Sequence, residues 1–271
     1  MKLLFKILIA AAFISLFITS AFSQKTFNRE NPILPSEEKI TEYGFYIGLG
    51  ANNQSGIFKT EWCNCEFQNG TGFGLTLGGI YETEFVRRLR WGAAIEYDMR
   101  SFTSSYMERE GIEFTSQTTG IKETVPVLFR YKAKAGISYI SLIPYLKYVP
   151  ADFLFFRMGL GGSFVVGAGL THTKDALDAT VKLSTGEIAS VSQPNGNLLY
   201  SGKFPGVNTF QYSLEPAIGL TFPIGERLNF SPVFQYSVPL SNFTTSGDNV
   251  KISGWRILLE FRFVDLPDKN H

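Results

Sequence analysis

Side chains able to do chemistry are few in this chain. Its two cysteines are Cys63 and Cys65, flanked by Trp62 and Phe67. An exported protein meets an oxidising compartment, so a disulfide is the expected state of this pair. A C-x-C ring closes little chain and adds little global stability; its effect is to pin a tight turn. Metal binding and free thiols are the other readings. A closed zinc site needs four Cys or His ligands, and no histidine lies near. We expect no metal and no cofactor.

The two histidines are His172 and His271. His172 lies near Asp175, Asp178 and Ser184, the residue types of a general base with a nucleophile or an orienting acid. A rim histidine of this kind would suit a lipid-modifying enzyme. A base needs a hydrogen-bonded partner, however, and a stretch rich in such residues offers them by composition alone. His271 sits in the tail, which leaves one histidine for any protease-type site. No Gly-rich phosphate loop, zinc motif or G-x-S-x-G elbow occurs. The expectation is a chain without a catalytic site.

A third set of residues is charged: Arg90, Glu96, Asp98, Arg100, Arg157, Glu215, Arg256, Glu260 and Arg262. All share a parity with Gly and Ser rather than with the large apolar residues beside them. Ionisable groups inside a membrane protein can line an ion or proton path. They can also pair with one another and fill a narrow interior, since an unpaired buried charge is costly. We expect the second.

The elements that carry these residues read as strands. Tyr43, Phe45, Ile47, Leu49 and Ala51 are apolar and alternate with Gly44, Tyr46, Gly48 and Gly50. Period two means a β-strand with two different faces. The pattern returns over about 72–81, 89–102, 139–148, 154–170, 209–222, 228–240 and 255–263. Spacers 82–88, 149–153 and 223–227 are short, whereas 52–71, 103–138, 171–208 and 241–254 are long. An even strand count with alternating short turns and long loops predicts an all-β, closed antiparallel transmembrane barrel of eight strands in up-and-down order. Residues 112–133 also alternate and predict a projecting hairpin; if they lay in the membrane the count would be ten.

The second face decides where the barrel lives. A soluble barrel would turn Lys, Glu and Thr outward. Here that face is mostly Gly, Ser and Thr, which suits the lumen of an eight-stranded barrel, wide enough only for side chains. Large apolar side chains then meet lipid, and a closed ring leaves no unpaired backbone there. Tyr43, Tyr81, Trp91, Tyr148, Phe222, Phe230 and Phe263 are expected at one interface as an aromatic girdle. Residues 153–170 are apolar enough for a helix, but Gly159, Gly161, Gly162, Gly167 and Gly169 would cost roughly 4–5 kcal/mol there. Pro144, Pro216 and Pro232 fall within predicted strands on the lipid face, where bulges or missing ladder bonds are expected.

Composition agrees. The 271 residues include 25 Lys or Arg against 24 Asp or Glu, with 15% aromatic and 18% charged residues. The charge balance excludes a basic nucleic-acid binder, and the apolar content excludes a disordered chain. Residues 1–23 have Lys2 and Lys6, an apolar run and Ala21-Phe22-Ser23, which predicts a signal peptide cut before Gln24. Residues 24–42 read as a polar periplasmic leader, 43–263 as the barrel and 264–271 as a short tail.

The run Cys63-Asn64-Cys65-Glu66-Phe67-Gln68-Asn69-Gly70-Thr71-Gly72-Phe73-Gly74, followed by LTLGGIYE, resembles the first loop and second strand of small outer-membrane barrels of the Bacteroidota and Chlorobi lineages. Pro144-Tyr145-Leu146-Lys147-Tyr148 is similar too. The resemblance to these OmpA-like or PorT-like barrel domains covers roughly residues 43 to 263. It implies a fold and an outer-membrane location rather than an activity. Some relatives carry a peptidoglycan-binding domain after the barrel, which this chain is expected to lack. The partners expected are outer-membrane lipid, the barrel-assembly machinery, and an extracellular ligand or host surface met through the long loops. The function expected is structural, surface-binding or adhesive. A lipid-modifying enzyme, a narrow channel and a secreted barrel for an apolar ligand are the alternatives.

Overall fold

The computed structural model describes residues 40–60, 63–86, 88–191 and 197–265, with the side chains of residues 63 and 64 outside that set. The expected signal peptide, most of the leader and the tail lie outside the described residues.

Eight long strands form the wall: β1 Thr41–Thr60, β2 Thr71–Val86, β3 Leu89–Thr115, β4 Lys122–Ala151, β5 Leu154–Ala176, β6 Phe210–Leu220, β7 Leu228–Pro239 and β8 Gly247–Asp265. Each pairs antiparallel with the next, and β8 returns to β1 from Thr41↔Asp265 to Phe58↔Gly247. The ring is therefore closed, an up-and-down barrel of eight strands. The seam between β1 and β8 is tight. A Cβ on Gly44 or Gly50 would lie 1.9 or 1.7 Å from a backbone oxygen of β8, so neither position takes a side chain without moving the ladder. Residues 153–170 lie mostly within β5, as the glycines required.

Strands are longer than their sequence pattern suggested. Much of the expected loop 52–71 belongs to β1, and nearly all of 103–138 to β3 and β4. These two strands stay in register from Leu89↔Tyr148 to Thr115↔Lys122, so residues 112–133 make a hairpin that continues the wall and adds no strand to the ring. Shorter strands complete the long-loop end. Cys63–Phe67 pairs with β1, Asn197–Lys203 with β5, and Thr180–Lys182 with Ile188–Ser190.

The two faces exchange character along the barrel. On β4, Ile140, Leu142, Leu146 and Tyr148 point outward, while Ser141, Tyr145 and Lys147 are buried inside. Eight residues earlier on the same strand the outward set is Arg130, Lys132 and Lys134, and the inward set is Phe129, Tyr131, Ala133 and Ala135. The same exchange occurs on β8, where Val250 and Ile252 are inside and apolar, while Arg256, Glu260 and Arg262 are inside and charged. The strands thus build a zone with an apolar exterior and an upper extension with an apolar core. That core includes Phe58, Phe67, Phe102, Phe204 and Phe243, with Phe58 stacked on Phe67 at 5.1 Å.

Half-exposed apolar side chains occur on all eight strands, among them Phe45, Leu77, Ile95, Leu142, Leu160, Ile218, Phe234 and Ile257. So wide a belt far exceeds the apolar patches that water tolerates on a monomer. The prolines on it cause no bulge. Pro144, Pro216 and Pro232 stay in register with one neighbour, while pairing with the other neighbour lapses locally. Missing ladder bonds, rather than a displaced register, accommodate the absent N–H.

A charge placed on this belt at mid-height should be costly. Leu142→Arg is expected to lower folding stability by about 2–4 kcal/mol, read as a fall in the urea midpoint for folding into lipid vesicles. Unchanged stability would mean that this face does not meet hydrocarbon.

Candidate functional site

Inside the belt, alternation aims charged residues from every strand except β7 at one narrow axis. Arg90, Arg100, Lys147, Arg157, Arg256 and Arg262 share it with Glu42, Glu82, Glu96, Asp98, Glu215 and Glu260. Charges of the two signs match in number.

They fall into three tiers. Nearest the strand ends Thr41 and Asp265, Glu82 accepts from Lys147 at 2.7 Å, Arg262 at 2.9 Å and Arg90 at 3.0 Å. Glu42 accepts from Arg90 at 2.7 Å and from Arg262 at 3.0 Å. Lys147 also sits 4.3 Å from the centre of the Phe155 ring. In the middle tier Arg157 donates to Glu260 at 2.6 Å and to Gln235 at 2.8 Å. Gln235 in turn donates to Glu215 at 3.1 Å, whose other oxygen accepts from Ser213 and Ser237. Tyr46 donates to Glu96 at 2.9 Å. In the upper tier Asp98 holds Arg100 at 2.5 Å and Arg256 at 3.2 Å, and accepts from Thr76.

Burial is nearly complete. Arg262, Tyr46, Lys147, Phe155 and Leu258 are each at most 2% exposed. Burying an ion costs several kcal/mol, and only close partners and satisfied hydrogen bonds offset that cost. The register of eight strands supplies those partners, because paired residues on adjacent strands put their side chains on the same face.

The structure brings together all seven of the lumen residues singled out, Glu96, Asp98, Arg100, Arg157, Glu215, Arg256 and Glu260, with Arg90 and Arg262. Sequence reasoning missed Glu42, Glu82 and Lys147. The sequence pattern puts Glu42 in the leader and Glu82 in a turn, but β1 begins at Thr41 and β2 runs to Val86. Lys147 shares the inward parity of Ser141 and Tyr145. Carrying the alternation two residues beyond each apolar run would have found the two acids. The aromatic set lies at the same end as the first tier. Tyr43 pairs with Phe263 and Tyr81, and Phe222 with Phe230. Trp91 and Tyr148 point outward near the start of β3 and the end of β4.

His172 is not at a rim. It lies within β5, faces inward and is fully buried. Its Nδ1 is 3.4 Å from Thr60 Oγ1, and Phe67 and Tyr131 pack on its ring. Asp175 binds Arg130 and Lys132, Asp178 accepts from the Leu128 N–H, and Ser184 donates to Glu123. These are scaffold contacts, so the rim position read from the sequence is corrected: His172 is a core residue of the extension. Cys65 is buried and disulfide-bonded, and the chain has one other cysteine, Cys63. Among the described residues no group of three His, Cys, Asp or Glu could hold a metal.

No family model matches the chain. No curated protein matches it in sequence either. Solved structures do resemble it. Ail of Yersinia pestis, crystallised with the heparin analogue sucrose octasulfate, is 16% identical over 82% of this chain and 99% of its own, with a TM-score of 0.31. OprG of Pseudomonas aeruginosa is 13% identical over 84% and 96%, at 0.34. The outer membrane protease OmpT of Escherichia coli is 8% identical over 87% and 99%, at 0.32.

Two predictions follow from the tiers and the extension. Glu82→Ala leaves Lys147 and Arg262 short of a counter-charge and should destabilise the barrel by about 3–5 kcal/mol, read from the urea midpoint; adding Lys147→Met should recover part of the loss. In the extension, burial lowers the His172 pKa below its ordinary 6.5. As pH falls, the unfolded chain takes up this proton before the folded one does. Stability is therefore full above pH 6.5 and declines as pH falls towards the lowered value. His172→Gln should flatten the slope of stability between about pH 7 and pH 5.

Proposed function

We propose that the chain is a Gram-negative outer-membrane barrel with a filled lumen and no catalytic role, serving in structure or in binding at the cell surface. The single observation that carries this reading is the self-neutralising charge set inside the belt. Six cations and six carboxylates engage one another and neighbouring polar groups around an axis whose central residues are almost wholly excluded from solvent. A conducting path would need room and mobile counter-ions there. An eight-stranded ring has a lumen only wide enough for side chains.

The end carrying Thr41 and Asp265 is then periplasmic, as export through the periplasm and insertion by the barrel-assembly machinery require. The extension faces outward. Its apolar core makes it a rigid platform, and a rigid scaffold that holds loops at a surface is the usual carrier of recognition. The acids and hydroxyls beside His172 are committed to holding that platform, which argues against lipid-modifying chemistry at the rim.

The protein should fractionate with outer membranes and migrate differently on gels before and after heating. In planar bilayers it should give no single-channel steps. Recovery from aqueous fractions without detergent would overturn the membrane reading, and stepwise conductance would overturn the filled lumen.

A further inference from the structure

Just above the belt, the outer wall of β4 and β5 carries a basic groove. Arg130, Lys132 and Lys134 project from alternate positions of β4, and Lys203 lies across β5, paired with Gly169. Asp175 answers Arg130 and Lys132 at 3.2 and 2.9 Å. Among the described residues neither Lys134 nor Lys203 has a salt bridge. The shape is as particular as the charge. Gly136 pairs with Gly169, and Gly202 lies on the next strand, so the floor is bare backbone. The result is a groove of about 400 Å³ walled by Lys134, Thr171, Ser201 and Ser101. No packing requires Gly136 or Gly169, whereas a Cβ on Gly202 would strike the Tyr200 hydroxyl at 2.4 Å. A Cβ on Gly136 would meet nothing within 4 Å, and one on Gly169 would meet only backbone oxygens at 3.9 Å. The space is open rather than filled by a neighbour.

We propose that this groove binds a phosphate group of a phosphorylated glycolipid in the surrounding outer leaflet. The inference rests on the outer-membrane reading. Height selects the occupant. Lys134 stands six residues above Ile140, the first outward apolar side chain of the β4 belt, which is where lipid headgroups begin. Charge selects it too, because unpaired ammonium groups at a membrane surface attract anionic lipid by about 1 kcal/mol each. Hydroxyls of Thr171 and Ser201 add donors for phosphate or sugar oxygens. The sugar would lie against the glycine floor, and the acyl chains would descend along Phe164 and Ile140, which are outward and half exposed.

The test uses the folded full-length barrel in detergent and bis-phosphorylated lipid A as probe, with fully dephosphorylated lipid A and inorganic phosphate for comparison. The phosphorylated lipid should bind most tightly. K134Q with K203Q should weaken it about 25-fold, fivefold for each lysine. G169V should weaken it without any change in charge, whereas K59Q, at an exposed lysine paired with Glu66, should leave it unchanged. Equal binding of dephosphorylated lipid, or no effect of either groove variant, would overturn the proposal. Displacement of the lipid by inorganic phosphate at equal concentration would reduce the groove to a free-anion site and overturn it as well. Heat-modifiability of each variant reports folding separately. A chain that is soluble without detergent would sink the membrane reading itself, a result distinct from a folded membrane barrel that ignores lipid A.

Discussion

Everything in this barrel depends on closing the backbone ladder. In hydrocarbon no water answers an unpaired N–H or C=O, and each one left open costs several kcal/mol. The return of β8 to β1 meets that demand over most of both strands. It also explains the bare glycines at the seam. Gly44 and Gly50 sit where β8 backbone oxygens would strike any Cβ. The prolines show how far the constraint bends. Each gives up ladder bonds on one side only, while the register through the other side keeps the ring intact.

Closure then dictates the interior. Alternation that sends Phe45, Ile47 and Leu49 to lipid must send the intervening residues to the axis, and an axis this narrow admits no solvent to stabilise their charges. Neutrality has to come from the side chains themselves. Glu82 collects three cations, and Arg262 donates to two acids and lies 3.7 Å from a third, Glu260, so the first tier is a network rather than a set of pairs. Such a network holds several strands at once. The aromatic rings add to it, with Arg157 over Tyr145 at 5.1 Å and Arg262 over Phe155 at 5.2 Å.

Much of this was legible from residue types alone, because period two states which side chains share a face. The strand count, the order and the lumen charges Glu96, Asp98, Arg157 and Glu260 follow from it. Strand ends were harder to read, for a physical reason. The belt is recognised by outward apolar residues, and these stop where lipid stops. Beyond that height β3 and β4 continue for more than ten residues with the code reversed, so Phe102, Tyr131 and Phe129 turn inward and Lys132 and Lys134 turn outward. A reading that follows one greasy face loses the strand there and names the remainder a loop. Glu42 and Glu82 were lost at the other end in the same way. Family likeness could not repair this, since the pairing that extends the strands depends on register between segments far apart in sequence.

The reversal also decides what His172 can be. At belt height its parity on β5 belongs to the lipid-facing Phe156, Met158 and Leu160, but the register shift between Val165 and Gly167 turns it inward, among Phe67 and Tyr131 in the extension. Lys134 is the converse case. Its parity matches the lipid-facing Ile140 and Leu142, yet it lies above them, where a charge is welcome and an anion is near. Chemistry along these strands is therefore fixed by two coordinates, the face and the height. The sites worth testing are those where a residue suits its height and still lacks a partner, which is the position of Lys134 and Lys203 beside an open glycine floor.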